Sequence, residues 1–297
     1  MAGLADYVQF VLAPQVITGL ALGVAVVLVA LGLTIIFGLL DVINISHGEF
    51  YALGAFIALV LGSVGLPFWV LLVLVPLLML PVGYLVERGL IQRVFHRRER
   101  HVTTLLLTFG LGLVMEDAFR LMFGPNPHRP ATPIHGAVEI FGIFLPTYRL
   151  FLILVGALII VGVEFVVYRT RLGAIVRAAA FDRHMAASLG VPVERVYAGA
   201  FAFGIALAGL AGVLLAPIYS VFPTMGRDFI LMAFTVVIVG GMGSIIGAVV
   251  AGLALTQIQA IASLYISPVW TDPIVFGIMV LMLIARPQGL FGRLGHG

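Results

Sequence analysis

The amino-acid sequence predicts an all-α polytopic membrane protein with about eight transmembrane helices. Hydrophobic residues make up 62% of the 297 residues and charged residues 10%, and the mean hydropathy is +1.20. A soluble domain has about 45–50% apolar and about 25% charged residues. Apolar runs near the roughly 20 residues that cross a bilayer recur along the chain. We therefore expect one transmembrane domain over residues 1–297, with no sizeable soluble domain.

The predicted spans follow the apolar runs in order. The first, Tyr7–Leu40, is too long for one straight crossing, and its proline and glycines leave room to bend or divide. The run Phe229–Val239 is too short to cross alone. The remaining predicted spans are Phe50–Leu66, Phe68–Val86, Val102–Phe123, Leu150–Val167, Tyr197–Val221, Ala248–Ile266 and Pro273–Ala285.

The basic residues predict the topology. All sixteen are arginines, and positive charge collects in cytoplasmic loops. Five arginines lie in residues 87–101, five in residues 168–196, and Arg286 and Arg293 follow the last span, so these segments and the C-terminus are expected in the cytoplasm. Residues 124–149 are then an external loop, with an amphipathic patch at Val138–Leu145. The cytoplasmic loop arginines are Arg88, Arg93, Arg97, Arg98, Arg100, Arg169, Arg171, Arg177, Arg183 and Arg195.

Several chemistries are excluded by residue types that the sequence lacks. A P-loop needs the lysine of its phosphate-binding motif, and without lysine this chain is not an ordinary P-loop ATPase. Without cysteine it has neither disulfides nor thiolate metal sites. On the fourth span, Glu116, Asp117 and Arg120 have the spacing at which opposite charges pair on a helix, which favours a structural cluster over a substrate site.

The polar segment Asp41–Glu49 lies between two long apolar runs. Polar, non-helical backbone is tolerated inside a bilayer only where protein or a water-filled cavity surrounds it, which favours a pore-lining break over a surface loop. Asn44 and Ser46 can each donate and accept hydrogen bonds. His47 and Glu49 could form a proton relay or hold a metal, although their spacing does not match a zinc motif. A helix-cap or pore-lining role is favoured for these four polar residues. Gly48, which lies between His47 and Glu49, is assigned to the same path.

A second interruption, Gly240–Gly247, has a similar setting. Gly-interrupted segments in both halves of a chain point to a transporter's binding region, so we expect two related halves and a substrate path that includes Gly240, Gly241, Gly243 and Ser244. The alternative is that these glycines only pack helices, because Gly19/Gly23 and Gly243/Gly247 both fit the small-residue packing motif.

The cytoplasmic stretch Leu172–Val191 has a helical pattern. Gly190 and Pro192 end it. An exposed amphipathic helix can lie on lipid or dock into a partner, and composition alone slightly favours lipid. Its apolar stripe consists of Leu172, Ile175, Val176, Ala179, Ala180 and Met185.

Four segments together resemble the permease subunits of branched-chain amino acid ABC importers of the LivH type. The segment Asn44–Gly54 resembles the family signature, except that Ile45 and Ser46 replace its middle pair. The others are the Gly-rich segment Gly240–Ser244, the ending Arg286–Leu290, and a cytoplasmic coupling segment. The coupling segment matches through Arg177, Ala178, Asp182, Ala186, Gly190 and Val191.

The resemblance implies a non-catalytic subunit of a bacterial inner-membrane importer. Such a subunit pairs with a second permease, a paralogue or another copy. Two ATPase subunits dock on Arg177–Gly190, which overturns the preference for lipid, and a periplasmic binding protein delivers substrate. ATP would be bound by the partner subunits, so the chain itself would hold no cofactor. No metal site and no nucleic-acid partner are expected.

Three alternatives remain at this point. Urea or short amides are transported by closely similar permeases. A self-sufficient channel or proton-coupled transporter would use His47 and Glu49 as its relay. An intramembrane enzyme ranks last, because no other acid–base pair is visible in the sequence.

Overall fold

The computed structural model describes residues 7–95, 99–140 and 142–292. The predicted cytoplasmic arginines Arg97, Arg98 and Arg293 lie outside these residues. A π-helical turn, Val8–Leu12, leads into the first α-helix, and a 3₁₀ turn, Pro268–Trp270, precedes the last. The α-helices are α1 (Ala13–Leu40), α2 (His47–Ser63), α3 (Phe68–Val86), α4 (Arg100–Phe123), α5 (Thr147–Arg169), α6 (Arg171–Phe181), α7 (Arg183–Ser188), α8 (Val193–Tyr219), α9 (Met225–Gly240), α10 (Ile245–Ala262) and α11 (Thr271–Ala285).

The all-α membrane fold is confirmed, with a different count of spans. Six of the described helical segments are long and apolar enough to cross a membrane, and the two shorter apolar helices α2 and α11 accompany them. The helix α9 has 16 residues, which makes it longer than the apolar run Phe229–Val239 from which it was predicted. The division into two related halves and the single domain over residues 1–297 stay predictions.

The helix α1 is the centre of the bundle. Its residues from Val24 to Ile36 are buried, and α5, α8, α9 and α10 pack around it. It is not divided, as the sequence allowed, but runs unbroken for 28 residues, about 42 Å at the helical rise of about 1.5 Å per residue. Its glycines bring other helices close: Gly23 lies against Thr256 of α10, and Gly32 against the Gly204 carbonyl of α8.

Two ends of the bundle can be distinguished by their contacts. At the arginine-rich end, Arg88 pairs with Glu194 at 3.1 Å, Arg100 pairs with Asp41 at 3.1 Å, and Leu290 donates its backbone N–H to Val239 at 2.8 Å. This end therefore unites the termini of α1, α3, α4, α8 and α9 with the C-terminal segment. These helix ends are the ones that the arginines predict to lie on one side of the membrane.

The opposite end carries the predicted external loop. Here Gln15 of α1 donates to the Ser263 hydroxyl at 2.7 Å, and His128 pairs with Val221 in an isolated β-bridge. The amphipathic patch expected at Val138–Leu145 is a two-stranded antiparallel hairpin, β1 (Ala137–Ile140) and β2 (Ile143–Pro146).

The predicted loop 87–101 is mostly helical, which corrects the sequence analysis. A π-helical turn, Glu87–Ile91, and one further α-turn, Gln92–Phe95, prolong α3, and α4 begins at Arg100. The connection is therefore much shorter than its charge pattern indicates, because arginines extend a helix as readily as they occupy a loop.

Candidate functional site

The interruption between α1 and α2 is present, but it is shorter than predicted. Asp41 ends α1 in the left-handed region, with φ 53°, and α2 already begins at His47. Thr108 of α4 supports the non-helical backbone between them: its hydroxyl accepts from the Ile45 N–H at 3.2 Å and lies 3.3 Å from the Ile43 carbonyl. A bilayer interior requires such partners for non-helical backbone. No motif in the sequence indicates this role for Thr108.

The polar side chains of this segment are buried in the bundle. Asn44 and His47 are 0% exposed, Ser46 1% and Glu49 5%. The Ser46 hydroxyl donates to Asn44 Oδ1 at 2.7 Å. Within the described residues, Asn44 Nδ2, His47 Nδ1 and Glu49 Oε2 have no hydrogen-bond partner. Each such buried group costs about 1–3 kcal/mol, which marks the segment as a functional candidate.

His47 and Glu49 contact different helices. His47 Nε2 lies 3.1 Å from the Val29 carbonyl of α1 and donates to it. Glu49 lies against Gly226 of α9, where an added Cβ would meet its carboxylate oxygens at 2.5 Å. Residues two apart on a helix do not share a face, and the structure does not bring these two side chains together as a relay would require. Nor do residues 7–95, 99–140 and 142–292 contain three or more His, Asp or Glu side chains grouped to hold a metal.

The charged residues of α4 form the expected structural cluster. Arg120 contacts Glu116 at 2.8 Å and Asp117 at 3.2 Å. Arg227, from the first turn of α9, approaches Glu116 at 3.7 Å. Sequence spacing did not predict this fourth member, because Arg227 lies more than 100 residues away from the other three in the chain.

The Gly-rich segment is a tight turn at the arginine-rich end. Gly241 and Gly243 have φ values of 104° and 83°, which disfavour a residue with a side chain. Ser244 caps α10 by accepting from the Gly247 N–H at 3.1 Å. The C-terminal segment closes over the turn, since Phe291 donates its N–H to the Gly240 carbonyl at 3.0 Å. Only Gly241–Ser244 separate α9 from α10.

The first turn of α2 and the Gly-rich turn lie at opposite ends of α9. Gly48 and Glu49 contact Gly226, near the start of α9, whereas the Gly-rich turn follows Gly240, its last residue. The intervening residues span about 21 Å of helix at about 1.5 Å per residue. The two predicted groups of path residues therefore do not form one compact site, although both flank α9.

The predicted coupling helix is two helices, α6 and α7, which corrects the single helix expected over Leu172–Val191. Asp182 separates them with an extended backbone, and its carboxylate accepts from the N–H groups of His184 at 2.8 Å and Met185 at 2.9 Å. These two hydrogen bonds, with that to Met185 the larger cause, lower the pKa of Asp182. Gly190, with φ 84°, follows α7 as predicted.

The predicted coupling residues divide into an anchor and an exposed surface. Ala186 is buried, whereas Arg177, Ala178 and Gly190 are exposed. The expected apolar stripe is not one face, because Ala179 is buried while Leu172 and Met185 are exposed. The two most exposed apolar side chains of this segment are Phe181 at 88% and Leu189 at 79%, and neither belonged to the predicted stripe. We call Phe181, Met185 and Leu189 the docking residues.

A cavity of about 730 Å³ joins the coupling segment to the Gly-rich turn. Its wall includes Arg177 and Phe181 of α6 on one side, and Gly243 and Ser244 on the other. The Thr34 hydroxyl of α1, buried and without a hydrogen-bond partner among the described residues, also belongs to this wall.

The Asp182 cap leads to a prediction that separates charge from hydrogen bonding. The backbone hydrogen bonds lower the folded-state pKa of Asp182. The stabilisation that its carboxylate gives is therefore complete above the unfolded pKa near 3.9 and is lost as the pH falls through the folded pKa. At pH 7 we expect Asp182→Ala to accelerate amide hydrogen exchange in Arg183–Ser188 several-fold. Asp182→Asn, which keeps an acceptor oxygen, should change it much less. Equal exchange in both variants and the wild type would contradict the cap.

These observations define a multi-pass α-helical permease: a buried polar interruption in the bundle, and an exposed apolar segment linked to a second interruption. Residues 15–284 match the family described as branched-chain amino acid transport system / permease component. The chain belongs to this family, and the resemblance seen in its motifs is confirmed.

The relatives include two kinds of permease protein. BraD of Pseudomonas aeruginosa is 30% identical over 302 residues, covering 94% of this chain and 95% of the relative. LivH of Escherichia coli K12 is 30% identical over 296 residues, with the same coverage. LivM of Escherichia coli K12 is 29% identical over 290 residues, covering 89% of this chain and 67% of LivM. All three are named as high-affinity branched-chain amino acid transport system permease proteins, which does not favour the urea or amide alternative.

Proposed function

We propose that the chain is the transmembrane permease subunit of an ABC importer for branched-chain or related hydrophobic amino acids. Alternating access would be driven by ATPase subunits that dock on the coupling segment. The names of BraD, LivH and LivM support this substrate class. The observation that carries the mechanism is the exposure of the docking residues, one of which, Phe181, also lines the same cavity as the Gly-rich turn.

The docking residues suit an ATPase partner better than solvent. Phe181 and Leu189 expose most of their apolar surface, and buried Ala186 anchors the short helix that carries Met185. Removing apolar surface from water contributes about 25 cal/mol per Å², so a groove that covers these side chains gains affinity. Arg177, Ala178, Asp182 and Gly190 then position the segment within that groove.

The substrate path begins at the buried polar segment. Asn44, Ser46, His47 and Glu49 are closed off from solvent, with Gly48 and Gly226 in close backbone approach. For substrate to reach these groups, the first turn of α2 has to separate from the start of α9. The Gly-rich turn at Gly240, Gly241, Gly243 and Ser244, at the far end of α9, is the joint through which the ATPase partners would move that helix.

The remaining assignments follow from this role. The arginine-rich end, with the C-terminal segment folded against it, is cytoplasmic by the positive-inside rule, and the membrane is the bacterial inner membrane. The partners are two ATP-binding cassette subunits, a periplasmic binding protein, and a second permease subunit, either a LivM-like paralogue or another copy. The chain performs no catalysis and holds no cofactor of its own.

Reconstitution tests the substrate class. The complex of this chain with its partner permease, ATPases and binding protein is expected to accumulate radiolabelled leucine in proteoliposomes when ATP is supplied. Isoleucine and valine should compete, and urea should not. The control is the same complex with the P-loop lysine of its ATPases replaced. ATP-driven urea uptake without leucine uptake would contradict the proposal.

A further inference from the structure

An ion pair joins two helices beside the buried polar segment. Arg227, in the first turn of α9, approaches Glu116 of α4, with 3.7 Å between its Nη1 and the carboxylate Oε2. The side chain of Glu116 is 9% exposed and that of Arg227 is 61% exposed. One partner is therefore buried in the bundle while the other reaches its surface.

The two helices joined by this ion pair both cover the first turn of α2. Gly226 of α9 abuts the carboxylate of Glu49. Gly112 of α4, about one helical turn before Glu116, faces Ser46 and Glu49, and a Cβ at this glycine would lie 3.7 Å from the nearest atom of each. The ion pair therefore connects the helices that close off the proposed substrate path.

Glu116 has a second arginine partner, which belongs to its own helix. Arg120 donates to Glu116 Oε1 at 2.8 Å, so each carboxylate oxygen has one guanidinium partner. The pair with Arg120 moves with α4, whereas the pair with Arg227 lasts only while α4 and α9 stay together. Losing the longer contact leaves Glu116 with Arg120, which avoids the large cost of an unpaired buried charge. The contact between the helices can therefore break reversibly.

Arg227 also attracts a carboxylate of the path itself. Its guanidinium acts electrostatically on Glu49, whose Oε2 is buried without a hydrogen-bond partner among the described residues. Glu116 and Glu49 belong to α4 and α2, so the attraction draws the start of α9 towards both helices. Arg227 thus opposes the separation of α9 from α2 that would expose the polar segment.

We propose that Arg227 and Glu116 form a latch that holds the buried polar segment closed towards the external side. The latch rests on the proposed function, in which the start of α9 separates from α2 during alternating access. When α9 moves, the contact between Arg227 and Glu116 breaks, Gly226 withdraws from Glu49, and the segment can be reached from outside. Glu116 keeps Arg120 throughout, so the latch can close again.

Cysteine labelling measures this closure, because the chain has no native cysteine. Ser46→Cys places one thiol in the buried segment, and a membrane-impermeant thiosulfonate reagent is added to ATP-depleted spheroplasts that contain the assembled complex. The labelling rate follows the population of the open state. Arg227→Gln and Glu116→Gln should each raise this rate about three- to fivefold, the upper range for an ion pair with one exposed partner.

Arg120→Gln is the matched control. It removes the other arginine of Glu116 but leaves the contact between α4 and α9, so it should not raise the labelling rate. Arg227→Lys keeps the charge and should label as slowly as the Ser46→Cys parent. Added salt should speed up labelling of the parent by screening the exposed partner of the pair, and Arg227→Gln should lose this dependence.

Unchanged rates in both glutamine variants, or an equal rise with Arg120→Gln, would overturn the latch. If a variant fails to give a monodisperse size-exclusion profile, the salt dependence of the parent decides, and its absence would overturn the latch as well. The proposed function is tested separately, because ATP-driven leucine uptake is measured with the complete wild-type complex and needs none of these substitutions.

Discussion

Replacing Gly54 with valine is expected to prevent the bundle from assembling correctly. Any side chain at this position of α2 would run into the backbone of Gly209 on α8, and backbone cannot rotate away as a side chain can. Overpacking a close contact costs about 1–3 kcal/mol, and valine adds two methyl groups beyond the Cβ. We expect a loss of about 3 kcal/mol or more, and a large fall in the yield of monodisperse protein.

The measurement is fluorescence-detected size-exclusion chromatography after a temperature series. The matched control is Gly162→Val on α5, where an added Cβ has no heavy atom within 4 Å. Both changes place the same residue in a transmembrane helix, so they differ only in what the new side chain meets. Equal melting temperatures for the two variants would show that α2 and α8 are not packed as described.

Removing Asp182–Gly190 is expected to abolish uptake while the protein still inserts into the membrane. The deletion takes away α7 and its cap, with two of the three docking residues, but leaves the buried helices α1 and α8 intact. The ATPase subunits would then lose their contact surface. Membrane insertion is followed by protease protection and uptake by ATP-driven leucine accumulation. Surviving uptake would contradict the coupling role.

A double substitution tests the same coupling role without shortening the chain. Phe181→Ala combined with Leu189→Ala should weaken ATPase association at least about tenfold, because truncating an interface anchor costs about 2 kcal/mol or more. Leu121→Ala on α4 is the matched control, since Leu121 is as exposed as Phe181, at 88%, but lies near the opposite end. Co-purification of the ATPases with each variant measures the difference.

The sequence predicted those parts of the fold that depend on periodicity and charge. The apolar runs located nearly every long helix. The arginines predicted which helix ends lie on the same side of the membrane, and the ion pairs of Arg88 with Glu194 and of Arg100 with Asp41 connect helix ends at that side. Ser244 was predicted only as a path residue, and its role as the N-cap of α10 was not predicted, although a serine before a helix is a favoured N-cap.

Other features depended on contacts between distant residues, which one sequence does not reveal. The glycines of α1 permitted a bend, yet Gly23 and Gly32 are packed against α10 and α8 and the helix stays continuous. Thr108 supports the non-helical backbone from 63 to 65 residues away. The break at Asp182 was readable in principle, because aspartate is also a favoured N-cap, but the apolar pattern on both sides concealed it.

The measurement that tests the account most directly is leucine accumulation by proteoliposomes that contain this chain with and without its ATPase partners. With the complete complex, ATP should drive leucine inward against its gradient. The purified chain alone, given ATP or a proton gradient, should accumulate none, since it has no lysine for a P-loop and its His47 and Glu49 face different helices. Uphill accumulation by the isolated chain would contradict the account.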